Sequence, residues 1–369
     1  MKKWLSIAAV VILCLALVIG AACTCGGGEE GEGVDEEEEI PEIVFLDPEE
    51  YQPDRNDDAF HGLPSTDARE MWFFDAIFDN GYCMGIGFRM GVVLTETGAT
   101  DPEYRSVAFG IFDPDGEKTE TEVQFPVSEV SASTETCDVR MGDNYVHGEF
   151  PRYEIHFRSG DLGADLVFEN LTQGYRNPPD GITALGEGWV VAQPRARVTG
   201  TLILDGEEMP VSGEGYHDHT WGVSTPGEGI GILASWNWGK LFLPNHTFVF
   251  NVIQLAEKFG GQSGGILMAF KGEELFQVLV SENIVVELSD FEVDELSGVE
   301  YSRKMVLKID EPRIKGEVIL RVRYLLEASS REGMEFFRAL SDCDVKLDVD
   351  GEEVEGETQA IHEIGKPPQ

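Results

Sequence analysis

"LILDGEEMPVSGEGYHDHTWG", residues 202–222, and "LDVDGEEVEGETQAIHEIG", residues 347–365, can be laid on one another when two residues are skipped in the first. The alignment pairs Gly213 with Gly356, Glu214 with Glu357, His219 with His362 and Gly222 with Gly365. Side chains in a strand change face at every residue, so a skip of two keeps each on its own face. Each copy starts from an Asp-Gly dipeptide between alternating apolar residues, the mark of a tight hairpin. The repeat predicts two related β domains that end in the same closing hairpin, the first near Gly222 and the second near Gly365.

Working outward, the same period-2 pattern recurs. "FFDAIFDNGYCMGIGF" (73–88) reads as strand, Asn80-Gly81 turn, strand, and "VAFGIFDPDGEKTETEVQF" (107–125) repeats the plan around Asp115-Gly116. In "KLDVD", Leu347 and Val349 share a face while Lys346, Asp348 and Asp350 look to water; "ILRVRYLL" alternates through Leu320, Val322 and Tyr324. No long stretch sustains a helical period, and "REGMEFFRAL" (331–340) is the candidate for one short helix. A chain of 369 residues has room for two domains. The expected fold is all-β and antiparallel, and if each domain closes into a barrel its interior can hold one small apolar ligand.

The amino end reads as a separate device. "MKKWLSIAAVVILCLALVIGAAC" has Lys2 and Lys3, an apolar run, then small residues before Cys23, the layout of an export signal. Its Gly20-Ala21-Ala22-Cys23 junction resembles a bacterial lipobox, which implies cleavage and lipid attachment at Cys23. The other reading is an uncleaved transmembrane anchor. Either one puts the globular part outside the cytoplasmic membrane. Glu29 to Glu50 carries many acids and no base, so it repels itself and is expected to stay extended. The organisation expected is signal 1–22, acidic tether 23–58, first domain 59–224 and second domain 225–369.

With 69 acids against 27 bases and a net charge of −42, the chain lacks the basic face that nucleic acid requires. Beyond Cys14 and Cys23, the remaining Cys25, Cys83, Cys137 and Cys343 fit no zinc or redox spacing. An exported chain allows a Cys83–Cys137 disulfide. Arg195 and Arg197 read as solvated strand positions, and Ser212 and Ser235 lie in no nucleophile-elbow pattern.

The chemistry concentrates in "GYHDHTWG". In a strand, His217, His219 and Trp221 take one face and Tyr216, Asp218 and Thr220 the other. His-x-His is a metal spacing, and His246 is the nearest third histidine in sequence, but no acidic or cysteine partner is evident; no metal and no cofactor are called. Asp218, flanked by aromatics, suits acid chemistry, because burial disfavours the charged carboxylate. Trp236 and Trp238 share a face in "ASWNWGK" and can stabilise a cation. Alternatively, Asp218 and the histidines hydrogen-bond the junction of two domains while the tryptophans fill core.

Gly215 to Gly222, followed by Trp236-Asn237-Trp238-Gly239, resembles the signature of the AttH-like and carotenoid 1,2-hydratase (hydroxyneurosporene synthase) superfamily, "GYHDHNWG" with a downstream "W-x-W-G". "REMWFFDAIF", Arg69 to Phe78, is similar to that family's "EWWYF" opening, with Glu70, Trp72 and Phe74 in register. Thr220 stands where the pattern has Asn, and Met71 and Phe73 replace a Trp and a Tyr. The resemblance spans roughly residues 60 to 365 and implies two lipocalin-like β-barrels in tandem. It further implies an apolar, unsaturated ligand, with Asp218 protonating a C=C bond and His217 or His219 assisting. Tyr216 would join the catalytic group, and Trp221, Trp236, Trp238 and Trp72 the ligand-binding one. Two functions follow as expectations: a hydratase or isomerase for an isoprenoid-like molecule, or a lipid-anchored carrier of such a ligand in which the motif is structural.

Overall fold

A computed structural model describes residues 52–62, 68–91, 93–94, 100–176, 188–223, 233–257, 260–331 and 334–367. The signal, Cys23 and the tether as far as Tyr51 lie outside the described residues. Among those described, no helix is long and apolar enough to cross a membrane.

The first domain starts with β1 (Ala68–Phe78), β2 (Cys83–Gly91), β3 (Val93–Leu94), β4 (Thr100–Asp101), β5 (Tyr104–Phe112), β6 (Lys118–Pro126) and β7 (Val130–Ala132). It continues with β8 (Cys137–Met141), β9 (Asn144–Glu149), β10 (Arg152–Ser159), β11 (Leu162–Asn170), β12 (Tyr175–Arg176), β13 (Gly188–Leu204) and β14 (Glu207–Val223). The second domain starts with β15 (Leu233–Phe242), β16 (His246–Leu255), β17 (Ser263–Lys271), β18 (Glu274–Ser281) and β19 (Ile284–Val293). Its last strands are β20 (Glu300–Asp310), β21 (Ile314–Arg331), β22 (Met334–Val349) and β23 (Glu352–Lys366).

One sheet runs β6-β5-β2-β1-β14-β13-β11-β10-β9-β8-β7, the other β18-β17-β16-β15-β23-β22-β21-β20-β19. In both, the first strand pairs antiparallel with the last, β1 with β14 and β15 with β23. The first sheet curls into a nearly closed barrel and the second into a half-barrel, so the fold is two barrel-like domains in tandem. The closing hairpins match down to their turns. Asp205 and Gly206 have φ of 54° and 78°, Asp350 and Gly351 of 57° and 84°. Positive φ at both central residues matches the right-handed twist of the flanking strands.

Each barrel has its own apolar core. Trp72, Phe74, Phe88, Phe157 and Phe168 pack the first, and Phe250, Leu267, Phe337 and Ile364 belong to the core of the second. A third apolar core lies between the barrels, joining Phe73, Phe112 and Tyr216 to Trp238, Phe270 and Leu340. β1 is therefore covered on both faces, and from Trp72 to Ala76 every residue is buried. This explains why "MWFFDAIF" reads as a nearly continuous apolar run. The barrels are also tied by polar bonds, Arg195 Nη1 to Leu243 O at 2.7 Å and Gln173 N to Glu273 O at 2.7 Å.

Several expectations need correction. Met334 to Leu340 is part of β22, not a helix, because pairing with both β21 and β23 outweighs local propensity. The alternation through Leu320, Val322 and Tyr324 breaks at a register shift between Val322 and Tyr324, which turns Tyr324 toward the inter-barrel core. Arg195 is not solvated: its Nε donates to Glu214 Oε1 at 2.9 Å, while Arg197 is exposed as expected. Cys83 lies in the inter-barrel core and Cys137 inside the first barrel, and both are free, so they do not form a disulfide. Finally, the end of the tether belongs to the fold, since Asp58 is buried and its carbonyl accepts a bond from Trp72 Nε1 at 2.9 Å.

Candidate functional site

Strand β14 sorts the motif onto two sides. Tyr216 and Asp218 face the second barrel, whereas His217 and His219 point into the first. The face assignment read from the sequence holds. It also separates residues expected to act together, because the histidines stand on the far side of the strand from Asp218.

On the junction side, Asp218 Oδ2 accepts hydrogen bonds from Trp189 Nε1 and Tyr216 OH, both at 2.9 Å. The carboxyl is 8% exposed. Burial pushes it up to about 6, while the Trp189 and Tyr216 bonds hold part of that rise back. Both bonds fall on one oxygen, so the proton of the neutral acid belongs on Oδ1. Trp238 packs edge-on against Tyr216 at 5.1 Å between ring centroids, and Trp236 Nε1 donates to Glu363 Oε1 at 3.2 Å.

Charged groups complete the junction. Lys240 Nζ forms a buried ion pair with Asp75 and lies 4.9 Å from the Tyr216 ring centroid and 5.0 Å from that of Trp238. Burial pushes Asp75 up and Lys240 down, each held back by the other's charge. Arg338 sits 4.4 Å over the Phe73 ring and donates through Nη2 to Glu363 Oε2 at 2.7 Å. The faces of Tyr216 and Trp238 are thus already occupied by an ammonium.

Inside the first barrel lies a chain of imidazoles and carboxylates. His217 Nε2 is 3.0 Å from Asp58 Oδ2, and its Nδ1 is 2.9 Å from Phe73 O, which fixes Nδ1 as a donor. His219 Nε2 is 2.9 Å from Glu70 Oε1, and its Nδ1 stands 3.3 Å from Asp58 Oδ1. His61 continues the chain, its Nδ1 3.2 Å from Glu70 Oε1. Burial alone would raise both carboxyls, but the His217 and His219 imidazoles hold Asp58 below its ordinary value, and His219 and His61 do the same for Glu70. Burial lowers His219, and the two carboxylates more than reverse it, leaving it above the usual histidine range. Trp72 stacks on His219 at 4.2 Å and Trp221 on His61 at 3.6 Å.

The structure thus splits the tryptophans expected to bind ligand. Trp236 and Trp238 lie at the junction with Asp218; Trp72 and Trp221 belong to the barrel network. His246 begins β16 in the second barrel, away from the His217 and His219 pair. The residues missed in the sequence are Trp189, Asp75, Lys240, Arg338, Asp58 and Glu70. Two were legible by period alone: Lys240 follows Trp236 and Trp238 at spacing two, and Asp75 follows Phe73. Asp58 gave no signal, because it lay in a segment read as tether.

The fold is a tandem lipocalin-like one, shared with AttH-type and hydratase structures. The AttH-type protein of Nitrosomonas europaea is similar at a TM-score of 0.61 and 13% identity, over 84% of this chain and 95% of that one. CghA in complex with Sch210972 is similar at 0.60 and 14% identity, over 86% and 97%. Kievitone hydratase from Nectria haematococca is similar at 0.56 and 13% identity, over 86% and 98%. No family model and no curated protein matches the chain. At these identities the likeness establishes the fold.

Proposed function

We propose that the chain binds an apolar, unsaturated, isoprenoid-like molecule between its barrels and that Asp218 gives it a proton, leading to hydration or isomerisation. The observation that carries this is geometric. Trp189 and Tyr216 both donate to Oδ2 of one buried carboxyl at the edge of an aromatic junction, which presents the other oxygen as the acid. The C=C bond takes the proton from Asp218 and leaves a carbocation beside Trp189 and Trp236. Water then adds, and the resulting oxonium returns its proton to the carboxylate. An aromatic face can stabilise such a cation by about 0.5–2 kcal/mol. The hydratase among the similar structures is an analogy of fold, and the chemistry is read from the Asp218 site itself.

The second reading is a carrier without turnover, favoured by the Trp189 bond to Asp218, which also serves to knit β13 to β14. Native mass spectrometry of the full chain after incubation with an isoprenoid-rich lipid extract separates them. If wild type yields a species heavier by one water, or an isomer, and Asp218→Asn retains the input molecule unchanged, Asp218 is the acid. The same unaltered lipid on both proteins establishes a carrier. A loss of thermal stability in Asp218→Asn assigns the carboxyl to scaffold. We further propose that Cys23 carries a lipid that tethers the protein outside the cytoplasmic membrane; Cys23→Ser should then leave the membrane fraction.

A further inference from the structure

We propose that His61, Glu70 and His219 form a binding site for a divalent transition metal of the zinc class at the mouth of the first barrel, on the side of β14 away from Asp218. Three donor atoms converge there, His61 Nδ1, a Glu70 carboxylate oxygen and His219 Nε2, all within 4.8 Å of one another. Two imidazoles and one carboxylate are a zinc donor set that leaves a fourth position for water. Each ring is held with its donor turned inward, His61 by stacking on Trp221 and His219 by stacking on Trp72.

Two further observations point to a ligand rather than a closed polar core. Glu70 Oε2 is buried and, among the described residues, has no hydrogen-bond partner, although the other oxygen is bonded to His219 and to the His61 backbone. A cation between the rings would satisfy it. Asp58 Oδ1 lies 3.3 Å from the remaining nitrogen of His219. A carboxylate behind a histidine is the usual arrangement around a metal-bound imidazole, where it fixes the ring and the tautomer. The site is also reachable, because the His61 side chain is 28% exposed while Glu70 and His219 are closed off. The neighbouring group of Asp58, Cys137 and His217 is buried throughout and offers no such entry.

Calorimetric titration of the full chain with zinc chloride, in parallel with His61→Ala and Glu70→Gln, tests the proposal. The expected result is one zinc taken up in wild type that both variants bind at least about tenfold more weakly, a loss that even outer-shell changes can cause. Zinc should raise the melting temperature of wild type and leave that of His61→Ala unmoved. X-ray absorption should show two nitrogen donors at about 2.0–2.1 Å. His61 reaches solvent, so its variant keeps the fold and decides the matter alone if Glu70→Gln does not fold. No uptake by wild type, or uptake by His61→Ala at wild-type strength, overturns the site; the acidic tract or surface histidines would then account for any zinc bound.

Discussion

His219 and His362 stand at matching places in the two closing hairpins, three residues before Gly222 and Gly365, and their surroundings shift their proton affinities in opposite directions. His219 lies opposite Trp72 and between two carboxylates. His362 lies opposite Gly239, and its Nε2 meets Ser341 Oγ at 2.9 Å. Register explains the difference: where β1 brings Glu70 opposite Trp221, β15 brings Asn237 opposite Ile364. The repeat kept the imidazole and exchanged its acid for an amide.

His362 should make the protein acid-sensitive. Burial lowers it from 6.5 to about 4, and its neighbours Ser341, Phe337, Ala339 and Gly239 carry no charge. Between those values the unfolded chain binds a proton that the folded one does not, so stability falls as pH drops from 6.5 toward 4. The loss should be on the order of 3 kcal/mol across that window. Urea titrations of wild type and His362→Gln at several pH values check it; equal pH slopes in the two proteins would refute the assignment.

Lys240 and Asp75 should depend on each other. Lys240→Met leaves a buried carboxylate with its partner gone, at a cost of about 3–5 kcal/mol. The double variant Lys240→Met/Asp75→Leu should recover most of it, since an apolar pair of similar volume removes the uncompensated charge. Chemical denaturation of the four proteins gives the coupling, and additive losses would mean that the pair is not formed.

The turn at Gly116 should report on the seam between barrels. Gly116 has φ 88°, and an added Cβ would lie 2.5 Å from Cγ of Tyr324 in the second barrel. Gly351 has φ 84° with open space around it. Alanine at Gly351 should cost only backbone strain, about 1–3 kcal/mol. Alanine at Gly116 should cost more, and Tyr324→Ala should relieve the excess. Equal losses at the two glycines would contradict the packing described.

Three thiols should be silent in the native protein. Cys83, Cys137 and Cys343 are free and buried. Burial raises all three, Cys83 to about 12. A thiol reagent should therefore label three more cysteines after unfolding in guanidine, without reductant, than before it. An increase of only one would restore a disulfide.

The architecture was readable because its evidence is local. Asp-Gly turns and period-2 alternation lie within a few residues of one another, and the two hairpins 202–222 and 347–365 share enough of both to reveal the repeat. The faces of "GYHDHTWG" followed from the same period. What escaped depends on contacts far apart in the chain. Asp58 meets His217 across 159 positions and Lys240 meets Asp75 across 165. Composition also misled at Asp58, since an acid closing an acidic tract reads as solvated until the barrel that buries it is known.

Since β1 and β14 are lined on one side by the interior of the first barrel and on the other by the seam, neither half of the molecule owns a complete surface. Cutting the chain between Val223 and Leu233 would bare Phe73, Phe112 and Tyr216 on one piece and Trp238, Phe270 and Leu340 on the other. Such fragments should precipitate when produced separately and recover solubility when co-expressed. The two repeats, though built alike, are no longer interchangeable modules.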